Sequence, residues 1–298
     1  EADELGIRYI IKSKYDAGGS YRFLNRLNEL TKVSAKNDRD IISSIFATHP
    51  KTIDRIKASK VNVKNNIDVI TNREIYLEAI DGMIYGDNSQ HGIIKDNNFY
   101  HLELNFSFIV PKNYTIINNK NNVISYNENK EVVVIFDGLL NEDDLSLLEL
   151  AEFYYLRSNI NLYKEIIIDN KTSVVFEENK TVKYDGNEYF RKTYLINWGD
   201  NRVWRFSLLL KPQVQSNHIG EADKIAKSIH ELREEEKILA RPNFISILKT
   251  KNGDTPLLLS KKMALNKNQL EILLIMNGLT IQSDEQISEG TLIKMIVN

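Results

Sequence analysis

The chain has 298 residues, of which 42% are hydrophobic and 9% aromatic, so it can bury the cores of two or three ordinary domains. The formal net charge of -2 at pH 7 gives no reason to expect a nucleic-acid partner, and the absence of cysteine excludes disulfides, thiolate metal sites and cysteine nucleophiles. No apolar run approaches the roughly 18 residues that a membrane-spanning helix needs, so no transmembrane segment is predicted.

Residues 1–84 carry the periodicity of helices. Asp3, Ile7 and Ile10 lie on one face of a first helix, at the spacing i, i+4, i+7. A break at residues 16–19 separates it from a second amphipathic helix, and Gly82 is a typical helix-terminating residue at the end of the segment. This part of the chain is therefore predicted to be helical.

Residues 85–240 change to short strands, separated by turns rich in Asn, Asp and Gly. The predicted strands are 106–110, 131–136, 173–177, 181–184, 188–197 and 202–211. Two predicted helices, 142–156 and 220–235, interrupt them. Such an alternation is typical of an antiparallel sheet covered by helices, an α+β sandwich.

Residues 241–298 are predicted to form a small βααβ module. Its strands are expected at 244–248 and 291–297, and its helices at 255–263 and 267–276. The whole chain is thus predicted to be a multidomain α+β protein, made of a helical segment, an antiparallel α/β sandwich and this module.

The five histidines do not form the HExxH signature of a zinc hydrolase. In that signature two histidines one helical turn apart bind the metal, and the glutamate activates the bound water. No histidine of this chain has a second one four residues away. His230 precedes Glu231, but Glu234 occupies the place of the second histidine, so a solvated helix face is the simpler interpretation.

Three short motifs nevertheless occur in an order that resembles the downstream half of the M48 family of zinc metallopeptidases. They are EAD at 1–3, KYD at 14–16, and THP at 48–50 followed by Arg-Ile at 55–56. The resemblance implies a helical remnant of a zincin-type peptidase domain. It also implies that HExxH lies upstream, and that the third zinc ligand lies four residues before the Asp of EAD, outside this chain. The alternative, that Glu1 is the ligand, requires a register shift.

The resemblance implies roles for three residues. Asp3 would orient a zinc ligand, Arg55 would stabilise a substrate carbonyl or a transition-state oxyanion, and His49 is a candidate to approach the metal or the substrate. Each residue also has a simpler interpretation: a helix-dipole acid for Asp3, a surface ion pair for Arg55, and a loop residue packed beside Pro50 for His49. Zinc is expected in the full-length protein, and none is expected to bind tightly to this chain.

The last segment resembles a LysM module over nearly its whole length. The similarity rests on GDT at 253–255, NGL at 277–279 and Gly290. LysM modules bind N-acetylglucosamine-containing glycans in a groove between two loops, so the resemblance implies glycan-binding candidates in those loops. They are Gly253, Asp254, Thr255, Asn277, Gly278 and Leu279. Because aromatic residues are absent there, a purely structural or docking role stays open.

The middle segment resembles a Mog1/PsbP-like sandwich, on the pattern of residues 106–111 with Tyr114 and of the helix at 222–229. Such domains are usually binding modules. Together the resemblances predict the C-terminal part of a bacterial envelope zinc metalloprotease, in the periplasm, with unfolded or misassembled envelope proteins as substrates. The alternatives are a non-catalytic adaptor that binds peptidoglycan or a protein, and a purely structural adaptor.

Overall fold

The computed structural model describes residues 2–35, 55–57, 59 and 69–298. Their contacts define two compact units: the first unit combines Glu1–Gly86 with Asn243–Asn298, and the second unit is Asp87–Pro242. Helices and antiparallel sheets occur in both, which confirms the mixed α+β class. The finer division into a peptidase remnant, a sandwich and a separate βααβ module stays a prediction.

Helices and strands are numbered in chain order. The described helices are α1 (Ala2–Lys12), α2 (Gly18–Ala35), α3 (Arg73–Ile80), α4 (Leu147–Tyr155), α5 (Ser216–Lys227), α6 (Glu234–Leu239), α7 (Pro256–Ser260) and α8 (Gln269–Asn277). The strands are β1 (Ile84–Tyr85), β2 (Ile93–Lys95), β3 (Asn98–His101), β4 (Phe106–Ile109), β5 (Tyr114–Asn118), β6 (Val123–Asn127), β7 (Val132–Leu140), β8 (Ile160–Ile168), β9 (Lys171–Glu178), β10 (Val182–Tyr184), β11 (Asn187–Gly199), β12 (Arg202–Leu210), β13 (Asn243–Lys249) and β14 (Leu292–Val297). Among the described residues, no helix has the length and apolar character needed to cross a bilayer.

Strand β13 is the centre of the three-stranded sheet in the first unit. It pairs antiparallel with β1 on one side, where Ile84 lies opposite Phe244, and with β14 on the other. The carboxylate of Asp81 accepts a hydrogen bond from the backbone N–H of Ile247 at 2.9 Å. Strand β13 therefore ties the segment that follows α3 to the C-terminal module.

The C-terminal module has the predicted βααβ order. The Thr255 hydroxyl accepts from the N–H of Leu258 at 3.3 Å and caps α7, and Gly278 ends α8 in the left-handed conformation at φ 62°. Helix α7 is shorter than predicted, because the N–H of Ala264 donates to the carbonyl of Ile296 in β14 at 2.8 Å and the chain has turned away by that point. The buried core residues are Leu259, Met263, Leu273, Ile287, Ile293, Met295 and Ile296.

The second unit is built on an eight-stranded antiparallel sheet. Its strand order is β5-β6-β7-β12-β11-β9-β8, and β10 adds to β11. Alternate residues of β7 enter different cores, since Val132 and Val134 belong to the core that α5 covers, whereas Leu139 belongs to the core under α4. A smaller sheet, β2-β3-β4, contributes to the α5 side.

Aromatic rings fill the centre of the α5 side. The rings of Phe106 and Trp204 lie 4.7 Å apart between centroids, as do those of Phe136 and Phe206. Phe99 packs against Phe106 at 5.9 Å. Large aromatic side chains bury the most apolar area per residue, so this cluster supplies much of the second unit's stability.

The prediction of one helix at 220–235 is wrong in its extent. Helix α5 ends at Lys227, and His230 then forms an antiparallel bridge with Ser107 of β4, with hydrogen bonds of 2.9 and 3.0 Å between their backbones. Ile229 is still buried in the core, but it reaches that core from an extended segment. Bonding to β4 outcompetes helix propagation here, and the shorter helix α6 follows.

The helix predicted at 142–156 begins only at Leu147. The side chain of Asn141 bonds both the N–H and the carbonyl of Leu145, at 3.0 and 2.8 Å, and holds the intervening residues in a turn. Ser146 and Glu149 then form a capping box. The acids at 142–144 therefore precede the helix instead of opening it.

Gly138 of β7 leaves room for the ring of Trp204. A Cβ atom at this position would lie 2.6 Å from Cζ3 of Trp204, which is itself fixed between Phe106 and Phe136. We expect Gly138→Ala to lower the free energy of unfolding by about 1–3 kcal/mol through overpacking, measured by urea denaturation.

Gly220→Ala in α5 is the matched control for this substitution. No heavy atom lies within 4 Å of a Cβ there, and alanine favours a helix over glycine by roughly 1 kcal/mol. This variant should be at least as stable as the parent. A Gly138→Ala protein with unchanged stability would contradict the packing described.

Candidate functional site

Asp3 and Arg55, the two predicted catalytic residues, form a bidentate ion pair. Arg55 Nε donates to Oδ2 of Asp3 at 2.6 Å and Nη2 donates to Oδ1 at 2.8 Å, although the two residues are 52 positions apart. The hydrogen bond from Arg55 lowers the pKa of Asp3 in spite of partial burial. Both side chains are more than a third exposed (38% and 36%), so the pair stabilises the fold by less than about 1 kcal/mol.

Of the other residues in the peptidase-like motifs, the structure describes Asp16 but not His49 or Glu1. Asp16 of the KYD motif caps the start of α2: its Oδ1 accepts from the N–H of Gly18 at 2.8 Å, and its Oδ2 accepts from Arg22. The bond from Arg22 lowers the pKa of Asp16. His49 and Glu1 lie outside the described residues, so a role for either stays a prediction.

Asn277, a glycan-binding candidate, uses its side-chain amide inside the module. Its Nδ2 donates to the carbonyls of Leu273 and Lys294 at 3.0 and 2.9 Å, and its Oδ1 accepts from the N–H of Lys294 at 2.7 Å. The residue is 9% exposed. Asn277 therefore joins the end of α8 to β14, and little of its amide is left for a sugar.

The first predicted glycan loop is likewise tied internally. Asp254 Oδ2 accepts from the N–H of Lys251 at 2.8 Å, and its carbonyl accepts from Ile287 at 2.9 Å. Thr255 is the cap of α7, and Gly253 adopts φ +85°, which favours glycine. The sequence pattern located a real loop, but these contacts give it a structural role and leave its binding of glycan a prediction.

Gly278 and Leu279 complete the second predicted loop. The N–H of Leu279 donates to the carbonyl of Leu274 at 3.0 Å and closes α8. The guanidinium of Arg26, from α2, lies so close to Gly278 that a Cβ would fall 1.8 Å from its Nη2. One side of this loop is thus covered by α2.

A cleft of about 880 Å³ lies within the first unit, and α2, α3 and α8 line it. Its apolar surface includes Phe23, Leu27, Tyr85, Ile245, Ile275 and Met276. Four cationic side chains also line it: Arg22, Arg26, Arg73 and Lys294. The volume falls within the range of about 300–1,000 Å³ that is common for small-molecule sites.

Sequence reasoning did not find this cleft. Its cations come from α2, α3 and β14, which are distant in the chain, and each looks like an ordinary surface residue of its own element. The one local signal is the spacing of Arg22 and Arg26, which places both on one face of α2.

In the second unit, Ser107, His230 and Glu236 are close together without forming a catalytic triad. His230 Nε2 lies 3.0 Å from both Ser107 Oγ and Glu236 Oε1, so nucleophile and acid share one ring nitrogen. A triad needs the acid on the other nitrogen, which here lies 2.7 Å from the carbonyl of Ser228. Ser107 is only 1% exposed. The group fastens the segment after α5 to β4.

Two arginines on the α4 face of the second unit are each paired with a carboxylate. Arg205 binds Asp137 through two hydrogen bonds of 2.8 and 2.6 Å and also donates to the Tyr155 hydroxyl at 3.1 Å. Arg191 forms a bidentate pair with Glu178. Because each guanidinium has its own carboxylate, these two arginines offer a bound anion little net charge.

Within the described part of the chain, no group of three or more His, Cys, Asp or Glu side chains is placed to hold a metal ion. The peptidase resemblance puts the zinc ligands outside this chain. The expectation that zinc does not bind tightly here therefore stays a prediction.

No known protein-family model matches the chain, and no curated protein matches it. Similar solved structures include the PsbP protein CyanoP of Synechocystis sp. PCC 6803, with 12% identity over 49% of this chain and 98% of that chain at a TM-score of 0.35. A protein of Bacteroides thetaiotaomicron has 13% identity over 53% of this chain and 55% of that chain at a TM-score of 0.36.

LpqN of Mycobacterium tuberculosis, a protein involved in cell envelope biogenesis, has 7% identity over 43% of this chain and 83% of that chain, at a TM-score of 0.32. A PsbP protein and an envelope protein are thus among the structures to which this chain is similar. TM-scores this low do not establish a shared fold, and the PsbP-like assignment of the middle segment stays a resemblance.

His101 is a buried histidine that the fold keeps neutral. It is 8% exposed, its ring packs 5.4 Å from that of Phe106, and its Nδ1 accepts from the N–H of Leu104 at 3.2 Å. Burial lowers its pKa from 6.5 to about 4, and the positive charge of Arg202 adds to the effect.

The free energy of unfolding should therefore fall as the pH drops from 6.5 to about 4. In this window the unfolded chain binds a proton at His101 and the folded chain does not, so protonation favours unfolding. We expect a loss of about 2–3 kcal/mol, measured by urea denaturation at a series of pH values. His101→Gln should remove that part of the slope; an identical slope in the variant would contradict the assignment.

Proposed function

We propose that this chain is the C-terminal region of a bacterial envelope zinc metallopeptidase similar to the M48 family. In the full-length protein, upstream ligands would hold zinc, which would supply the bound water for hydrolysing the peptide bonds of unfolded or misassembled envelope proteins. The chain itself holds neither HExxH nor the expected third ligand, so its own task is the binding of substrate, partner or cell wall. Its location is the periplasm or cell envelope.

The ion pair between Asp3 and Arg55 carries this proposal. Two of the family's motifs, 52 positions apart, meet through a two-point contact between the residues that the resemblance singles out. A bidentate carboxylate–guanidinium contact fixes orientation as well as distance. In this proposal Asp3 orients the zinc ligand expected one turn before it, and the ion pair holds Arg55 beside Asp3, where it stabilises a substrate carbonyl or a transition-state oxyanion.

The outer face of α1 supports the same proposal. Ile7 is buried, but Leu5 and Tyr9, which lie four positions apart on another face of α1, are 43% and 64% exposed. Apolar side chains grouped on one helix face usually mark a surface that another structure covers. The zinc-binding half of a peptidase domain is the structure that the resemblance supplies.

The test compares the present chain with the protein extended upstream to include its HExxH. Elemental analysis should find stoichiometric zinc in the extended protein only, and that protein should cleave an unfolded substrate until a chelator is added. Asp3→Asn and Arg55→Gln in the extended protein should each lower kcat/KM by at least about tenfold, because ligand orientation is worth that much at metal sites.

A second ion pair on the same helix provides the control. Glu4 and Arg8 form an exposed i,i+4 pair at 3.0 Å, so Glu4→Gln should leave activity unchanged. An upstream sequence without HExxH, or stoichiometric zinc and chelator-sensitive cleavage by the present chain, would overturn the proposal.

A second candidate function is that of a non-catalytic adaptor that binds peptidoglycan. The observation that favours it is the βααβ order of the C-terminal module, with both predicted loops at the ends of its helices. The two functions are compatible, since the module can target the peptidase to the cell wall.

Retention on purified peptidoglycan tests the adaptor function. Leu257, beside the first loop, is 37% exposed, and Leu257→Glu should weaken retention by about tenfold if glycan packs there. Leu239→Glu, at a 49% exposed position of the second unit, is the control and should bind like the parent. If the parent chain is not retained, or N-acetylglucosamine oligomers do not compete, the adaptor function fails.

A further inference from the structure

The cleft of the first unit combines an apolar surface with three cations that have no carboxylate partner among the described residues. Among the described residues, Arg26, Arg73 and Lys294 form no ion pair with any carboxylate. Arg22, which lines the same cleft, is by contrast paired with Asp16. Within the part of the chain that the structure describes, three cations at one apolar surface thus lack a carboxylate partner; Lys294 Nζ lies 6.0 Å from the ring centroid of Tyr76.

The three cations act on one another. Lys294 is half-buried on β14, and burial lowers its pKa, with further lowering by repulsion from Arg26 and Arg73. Like charges in a partly desolvated site repel more strongly than they do in water. A bound anion would replace this repulsion by attraction to all three groups.

Backbone contacts hold the two guanidinium groups, and Asn277 anchors the part of β14 that carries Lys294. Arg73 donates through Nη2 to the carbonyl of Leu292 at 2.8 Å, and Arg26 lies against Gly278 at the end of α8. The backbone of Lys294 is held by Asn277. A site with charges held in place loses less entropy when it binds a ligand.

We propose that this cleft binds a small amphipathic anion. Arg26, Arg73 and Lys294 hold its carboxylate or phosphate-monoester head group, and its apolar body packs on Phe23, Ile275 and Met276. Free phosphate or a sugar would leave the apolar walls uncovered, and a neutral lipid would leave the cations uncompensated. The inference is independent of zinc and of peptidase activity.

Isothermal titration calorimetry of the purified chain tests this proposal. The probes are decanoate and decyl phosphate, used below their micelle-forming concentrations. Inorganic phosphate supplies the head group alone, and 1-decanol supplies the apolar body alone. We expect both amphipathic anions to bind at one site, at least about tenfold more tightly than either single-feature probe. The stronger of the two anions identifies the head group.

Substitutions locate the binding site. Arg26→Gln and Lys294→Met should each weaken binding of the anions by about tenfold, whereas Lys294→Arg keeps the charge and should bind like the parent. Lys262→Met removes an exposed lysine near the end of α7, outside the cleft lining, and should change nothing. Binding should also weaken as salt is raised.

Several results would overturn the proposal. The first is that the chain binds 1-decanol as tightly as decanoate. The second is that Arg26→Gln and Lys294→Met both bind the anions as tightly as the parent. The third is that Lys262→Met weakens anion binding as much as those two variants do. Tighter binding of a short peptide with a C-terminal leucine than of decanoate would assign the cleft to peptide ends instead. If Lys294→Met does not fold, anion binding by Lys294→Arg, which keeps the charge, is compared with anion binding by Arg26→Gln, which loses one; equal affinities would then overturn the proposal.

Discussion

The pairing of β13 with β1 is the interaction on which the first unit depends. It joins stretches of chain between which the whole second unit intervenes, so its formation carries a cost in loop-closure entropy. Strand β1 has only two residues, and contacts around it extend the junction: the N–H of Gly82 donates to Ile245 at 2.8 Å, and Asp81 accepts from Ile247. The same sheet carries Lys294 on β14 beneath the cleft, so the site exists only when the junction is closed.

Much of the architecture could be predicted from local patterns. Strands rich in β-branched residues such as β7, the cap at Thr255 and the helix stop at Gly278 follow from residue type and spacing. What could not be predicted depends on tertiary competition. Helix α5 ends early because His230 pairs with Ser107, and β8 was missed because this edge strand is largely exposed and bulged, without the alternation that marks a half-buried strand.

The candidate sites also divide into features that the sequence predicted and features that only the tertiary structure reveals. The motifs identified Asp3 and Arg55 as candidates, and in the structure the two side chains form an ion pair. The peptidase chemistry itself stays a proposal. The LysM-like pattern placed Asn277 in a loop but could not reveal that its amide is engaged by the module's own backbone. The cationic cleft left almost no trace in the sequence, because its lining side chains come from elements that are distant in the chain and look unremarkable in each of them.

The insertion of the second unit into the chain of the first has a consequence for the order in which the protein folds. The ribosome delivers Asp87–Pro242 complete before β13 and β14 emerge, so the eight-stranded sheet can fold while the first unit still lacks two of its three strands. Until then α2 and α3 expose the side chains that later line the cleft. Exposed apolar side chains of this kind are what chaperones bind, so we expect these helices to be a chaperone target during synthesis.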